Sequence, residues 1–280
     1  MSNDATALGL PVPRLSEGLF GSLTLHTDED LYKACGVRIA FTTRHGGVSQ
    51  DPFASLNLGD HVGDDLGFVE ENRQLLCDSL GVGDAFLVNP KQVHGDVLVA
   101  LDDVACLGQD RELSRQGCDG LLVSLPQVAA LLCYADCVPV ILVAPTGQFA
   151  VVHAGWRGVV NGIAVSALKQ LAEHCPAEEV NIYLGPYIHG ECFETGEDVH
   201  QQFFELFGSG CVYDGTHIDL GAALRISLQA AGANPERIVE VGGCTMCHPE
   251  KWFSYRASGG TCGRHGAFAV REEGEWPCQV

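Results

Sequence analysis

Two side chains in the stretch CDGLLVSLPQVAALLCYADCVPVILVAPTGQFAVVHAGWRG, residues 118–158, have the types and spacing for chemistry: Cys137 and His153. A thiolate is a soft nucleophile and metal ligand, and an imidazole is either a second ligand or the base that activates the thiol. The runs 138–143 and 149–152 are short and rich in Val, Ile and Leu, and Pro145-Thr146-Gly147-Gln148 between them suits a reversal. They predict an antiparallel hairpin. Pairing Ala144 with Phe149 sets Val140 opposite His153 and Val138 opposite Gly155. Cys137 and His153 then leave the same open end, roughly 10 Å apart along the strand. Pro139 and Gly155 are the residues placed to bend the chain and close that gap.

Two chemistries share this pair. A catalytic zinc takes three protein ligands and keeps one position open. Cys137 and His153 would supply two, and His94, in Gln92-Val93-His94-Gly95 between two strand-like runs, is the best third. A metal-free cysteine hydrolase would use Cys137 as nucleophile, His153 as base and an acid such as Asp136 or Asp119 to orient the imidazole. Spacing does not separate the two readings. A multicopper chain is disfavoured, because such sites use closely spaced histidine pairs and the eleven histidines include no His-x-His. Cys244-Thr245-Met246-Cys247-His248 has the spacing of half a structural zinc site, without a second Cys-x-x-Cys to complete it.

Ala154-Gly155-Trp156-Arg157-Gly158 leads into 159–175, where Val160, Ile163, Ala164, Ala167, Leu168 and Leu171 recur at helical spacing. The glycine-rich linker would then lie at a helix N-terminus, where free amides favour an anion and Arg157 adds a charge. Arg44, beside Gly46-Gly47, and Asn57, in Ser55-Leu56-Asn57-Leu58-Gly59, are further groups that a substrate could meet.

These residues need a scaffold, and the chain is long enough for one. Its 280 residues, 46% hydrophobic, suffice for a substantial core. Strands are expected over 37–43, 86–89, 97–101, 128–133, 180–184, 239–241 and 266–270, and helices over 69–80, 194–207 and 220–231. Residues 1–36 are poorly patterned and read as an N-terminal extension, 100–117 as an irregular surface connection, and 37–280 as one catalytic domain without repeats. Sixteen basic against thirty-six acidic residues give a formal charge of −20, which repels nucleic acids and anionic membranes. An anionic small substrate would need local arginines. Thirteen cysteines, an odd number without a secretory signal, read as reduced cytoplasmic thiols, and no run reaches the ~18 apolar residues of a membrane span.

The motifs Thr43-Arg44-His45-Gly46-Gly47-Val48-Ser49, Ser55–Gly59, Gln92–Gly95, Ala135-Asp136-Cys137-Val138-Pro139 and His153–Gly158 occur in this order, followed by Gly185-Pro186-Tyr187-Ile188, Phe253-Ser254-Tyr255-Arg256 and Gly263-Arg264. With them the chain resembles the YfiH family, also called the polyphenol oxidase or laccase-domain family, from about Val37 to Val270. The resemblance implies an α/β (α+β) sandwich of mixed sheets with helices outside. It also implies a catalytic zinc held by His94, Cys137 and His153. The activity it implies is purine nucleoside phosphorolysis, with inosine, adenosine or methylthioadenosine and phosphate as substrates and adenosine deamination as a side reaction. Some members resemble amidases that edit cell-wall precursors. The copper-dependent oxidase label is disfavoured for the reason given above.

Overall fold

The structure, a computed structural model, describes residues 9–278. In chain order its elements are β1 (Ser16–Phe20), β2 (Leu23–Thr27), α1 (Glu29–Cys35), β3 (Val37–Thr42), α2 (Leu66–Ser79), β4 (Phe86–Val88), β5 (Leu98–Leu101) and α3 (Leu107–Ser114). The middle of the chain gives β6 (Gly120–Val123), β7 (Val128–Tyr134), β8 (Val138–Val143), β9 (Phe149–Ala154), α4 (Trp156–Asn161), α5 (Ile163–Leu171) and β10 (Asn181–Leu184). The last third adds α6 (Glu197–Phe207), β11 (Val212–Tyr213), β12 (His217–Ile218), α7 (Leu220–Ala230), β13 (Ile238–Glu240) and β14 (His265–Arg271).

Two six-stranded mixed sheets, ordered β1-β2-β3-β14-β7-β4 and β13-β10-β8-β9-β6-β5, carry the fold. Alternation along the strands sends Ile141, Val143, Phe149 and Val151 of the second sheet, and Phe41, Leu132, Tyr134 and Ala267 of the first, into one shared core. The opposite face of the second sheet, with Val140, Leu142, Ala150 and Val152, packs under Ile163, Ala167, Leu168, Phe203 and Leu224 of the helices. The outer face of the first sheet packs under Leu76 and Cys77 of α2. The result is an α/β/β/α sandwich. Because β7, β8 and β9 are covered on both faces, they are continuous apolar runs rather than alternating ones.

Several local expectations differ from the structure. Residues 1–8 of the poorly patterned 1–36 lie outside the described residues, but 16–36 form β1, β2 and α1, and β2 pairs with β3. The 100–117 connection contains α3. The expected single helix over 159–175 begins at Trp156 and is divided at Gly162, whose φ of 76° and ψ of 33° are left-handed. The hairpin register is shifted by one. Val143 pairs with Phe149, Pro139 with His153 and Val138 with Ala154, because a three-residue loop is closed by hydrogen bonds from Ala144 N–H to the Gln148 carbonyl and from Gly147 N–H to the Ala144 carbonyl, both 2.9 Å. That shift has a chemical consequence. Facing residues share a side of the sheet, so His153 sits on the side of Pro139 and, continuing the alternation, of Cys137. The register expected from sequence would have put the two on opposite faces.

Candidate active site

The site forms where the inner space of the sandwich opens at one end of the second sheet. Cys137 immediately precedes β8, at the end of the Tyr134–Cys137 connection that crosses from β7 in one sheet to β8 in the other. His153 comes from β9, and His94 from the loop before β5. One ligand atom from each of His94, Cys137 and His153 lies within 4.8 Å of the others, and the two imidazoles meet edge to face at 4.8 Å between centroids. Tetrahedral zinc bound to nitrogen and sulfur would set its donors roughly 3.4–3.8 Å apart, so the trio fits a small metal ion after slight contraction. Gly155 makes room for it. A Cβ there would stand 3.2 Å from both Cys137 Sγ and His94 Cδ2.

Asp119, just before β6, organises the trio. Its Oδ1 accepts from His153 Nδ1 at 2.8 Å and from His94 N–H at 2.9 Å. Its Oδ2 accepts from Gly95 N–H at 2.7 Å and Val93 N–H at 3.2 Å. These bonds hold the 93–95 turn, in which His94 has a φ of 59°, unusual for a residue with a side chain. With Nδ1 donating to the carboxylate, His153 turns Nε2 toward the trio, so that this nitrogen is the one a metal would take in exchange for its proton. Asp136 has another job. Its carboxylate accepts from Thr245 Oγ1 at 2.6 Å and Arg256 N–H at 2.7 Å, fixing the turn that carries Cys137. Of the two acids considered for orienting His153, Asp119 makes the contact.

Charges reinforce one another here. Burial would raise the Cys137 thiol, but His153 and His94 beside it bring it down to about 6. Burial would lower His153, yet Cys137 and Asp119 hold it up at about 9. Burial opposes ionisation of Asp119 as well, and the bonds from His153, Gly95 and Val93 hold its carboxyl below the ordinary value.

The trio lines a cleft of about 530 Å³ whose walls include Arg157, Arg256, Arg264, Trp156, Phe193 and Tyr255. Arg157 lines this cleft, stacked over the Trp156 ring at 4.2 Å. The helix it opens, however, is only six residues long, too short for the dipole argument made from sequence. Arg44 and Asn57 are corrections, for neither lines the cleft. The Arg44 guanidinium donates to the Ala54 and Pro249 carbonyls, tying its own loop to the C-terminal segment. Asn57 is fully buried, with its amide spent on Gly59, Asp64 and Arg264 N–H. Arg256, Arg264 and Tyr255 supply the cleft instead. They stand in the Phe-Ser-Tyr-Arg and Gly-Arg motifs, whose polar ends were the signal available in the sequence.

A two-sheet α/β sandwich with a Cys-His-His metal-type trio at the mouth between its sheets defines the structural class. The chain belongs to the YfiH or laccase-domain family: the model described as multi-copper polyphenol oxidoreductase laccase matches residues 38–272. Purine nucleoside phosphorylase YlmD of Geobacillus stearothermophilus is 37% identical over 253 residues, 86% of this chain and 92% of that protein. Its crystal structure superposes with a TM-score of 0.81 at 31% identity, covering 94% of this chain and 99% of the other. Adenosine deaminase RL5, from an unknown prokaryotic organism, is 34% identical over 237 residues, 80% of this chain and 90% of that protein. The crystal structure of YfiH from Bacillus licheniformis matches with a TM-score of 0.78 at 29% identity, over 90% and 97% of the two chains.

Proposed function

We propose that this protein is a zinc-dependent purine nucleoside phosphorylase, converting inosine, adenosine or methylthioadenosine and phosphate into free base and the sugar 1-phosphate. The observation that carries the reading is the composition of the cleft. Three arginines and three aromatic rings line the same cleft as the trio in a chain of net charge −20. Such a cationic pocket fits an anionic co-substrate, and the rings fit a flat base. The relatives named as purine nucleoside phosphorylases support purine nucleosides as the substrate class.

In this mechanism Arg157 and Arg256 hold the phosphate against the sugar, since a guanidinium fork matches phosphate oxygens. Phe193, Tyr255 and Trp156 stack against the purine. Phosphate oxygen forms a bond to C1′ as the C1′–N9 bond breaks, its electron pair moving onto the base. A metal held by His94, Cys137 and His153 would act as a Lewis acid or water-activating centre; the latter chemistry would account for adenosine deamination beside phosphorolysis. Asp119 keeps the His153 proton on Nδ1 throughout, and Cys137 remains a thiolate. Soft thiolate with imidazole suits zinc. Among the described residues the metal-type clusters are this trio and one dominated by cysteines, and neither has the paired histidines of a multicopper centre. Thirteen free thiols agree with a reducing, cytoplasmic setting; among the described residues no helix is long and apolar enough to cross a membrane.

A second reading has its own observation. Cys137, lowered to about 6, with His153 and Asp119 in hydrogen-bonded sequence, is also a cysteine-hydrolase arrangement, suited to an editing amidase on a cell-wall precursor. Chromatography of inosine and adenosine reactions with and without phosphate decides. Phosphorolysis requires phosphate-dependent base release, and Arg157→Ala should raise the KM for phosphate by more than about tenfold while that for nucleoside changes little. Equal base release without phosphate means hydrolysis. No base release, with amino-acid release from a muramyl precursor, establishes the amidase.

A further inference from the structure

Cys244 and Cys247 stand in a Cys-x-x-Cys turn that lacks a second such pair in the sequence, and the fold supplies the missing donors from a distant loop. Cys192 Sγ lies 3.4 Å from Cys247 Sγ. One donor atom each from Glu191, Cys192, Cys244 and Cys247 falls within 4.8 Å of the others. We propose that these four side chains form a second metal site, a closed structural zinc centre with three thiolate ligands and one carboxylate, separate from the Cys137 trio.

The geometry and the ligand chemistry agree. Zinc–sulfur bonds of about 2.3 Å in a tetrahedron set neighbouring sulfurs roughly 3.8 Å apart, close to the separation found. Four protein donors fill the coordination shell, which marks a structural rather than a catalytic centre. Backbone support is in place as well. His189 N–H donates to Cys244 Sγ at 3.3 Å, fixing the direction of that sulfur, and His248 N–H donates to the Cys244 carbonyl at 3.1 Å, closing the turn. The Cys244 end is buried and the Cys247 and Glu191 ends are exposed, so an ion can enter from solvent.

What such a centre would brace is visible in the same contacts. The two loops are otherwise joined by the Tyr187–Cys244 bridge and by Thr245 N–H to the Tyr187 carbonyl at 3.0 Å. Between them they carry the cleft wall: Phe193 follows Cys192 directly, and Thr245, between the two turn cysteines, holds Asp136 next to Cys137. Arg256 reaches back to the Glu194 carbonyl at 3.0 Å. A zinc there would pin the wall bearing Phe193 and Arg256 without touching substrate.

Metal analysis of the full chain, purified without chelator and under reductant, tests this. Zinc should fall by one atom per chain in Cys192→Ser, Cys247→Ser relative to the parent, while the Cys137→Ala, His153→Ala chain retains one. A second measurement stands even where the double variant fails to fold. Apo Cys137→Ala protein titrated with Co²⁺ should develop the near-ultraviolet thiolate-to-cobalt charge-transfer band, and Glu191→Gln should weaken the binding by about tenfold or more. Unchanged zinc in a folded Cys192→Ser, Cys247→Ser chain, cobalt binding without a thiolate band, or a Cys192–Cys247 disulfide in reductant-treated protein would each overturn the proposal. Undiminished cobalt affinity in Glu191→Gln would overturn the carboxylate as fourth ligand.

Discussion

Asp119→Asn removes one charge and changes no shape, yet it leaves the site no good solution. The native carboxylate accepts four hydrogen bonds, two at each oxygen. An amide has only one oxygen. If its NH₂ group takes the Oδ2 place, it faces the Val93 and Gly95 N–H groups, and two partly buried donors lose their acceptor, at up to about 1–3 kcal/mol each. If the NH₂ group takes the Oδ1 place, one donor, His94 N–H, is orphaned, and His153 can accept at Nδ1 by moving its proton to Nε2. The second arrangement is cheaper. It costs up to about 1–3 kcal/mol of stability, and it keeps the proton on the Nε2 that His153 turns toward Cys137 and His94. Loss of a carboxylate partner of this kind lowers metal affinity by about 10–100-fold. Chelator competition and urea unfolding on the same preparation provide both numbers. A variant with parental metal affinity and a shift in stability below about 0.5 kcal/mol would refute the role assigned to Asp119.

Gly155→Ala places a methyl group 3.2 Å from Cys137 Sγ and His94 Cδ2; metal content measured after purification should fall well below that of the parent, and equal occupancy would show that the trio does not depend on this gap. In metal-free protein, the alkylation rate of Cys137 should rise through a midpoint near pH 6, because the thiolate is the reacting form and its lowered value keeps it populated above that pH. Mass mapping after brief iodoacetamide treatment should find Cys137 protected while metal is bound, and fast labelling of the intact protein would favour the nucleophile instead. Burial pushes His265 down to about 3, so between pH 6.5 and 3 the unfolded chain holds a proton that the native chain does not. Stability should therefore be lost as pH drops from 6.5 toward 3, by about 1.4 kcal/mol per unit from this group, and urea titrations of His265→Gln at several pH values should show a slope shallower by one proton.

The strands of the central stretch were readable because burial on both faces leaves uninterrupted Val, Ile and Leu, a pattern that needs no partner to interpret. The sequence-derived hairpin differed by one residue, since a three-residue and a four-residue loop are both compatible with Pro145-Thr146-Gly147-Gln148, and the choice depends on Gly147 taking a φ of 79°. Residues 16–36 were opaque for another reason. Their strands are short, β1 has exposed positions at Ser16, Glu17 and Leu19, and their place comes from pairing with β3 rather than from local pattern. The division at Gly162 was hidden because the apolar positions on either side of it keep helical spacing across the break.

Within the site, residue type carried Cys137, His153 and, with the family motif, His94; what it did not carry was which of several polar residues spend their groups on the protein itself. Arg44, Asn57 and Asp136 have the chemistry of substrate or catalytic residues, and Arg44 and Asn57 stand beside glycines as binding residues often do. Each is consumed by backbone or side-chain partners far away in sequence: Arg44 by Pro249, Asn57 by Arg264, Asp136 by Thr245 and Arg256. Such partners are set by tertiary packing, and a motif written along the chain contains no trace of them. The same argument runs in the other direction for the cysteines. Cys244 and Cys247 read alone are half a site, and their completion by Glu191 and Cys192 arises because Tyr187 and Cys244 come to lie side by side. Long-range pairing therefore ties Arg44, Asn57 and Asp136 into the protein and brings Glu191 and Cys192 beside Cys244 and Cys247, and neither outcome is written in the motifs along the chain.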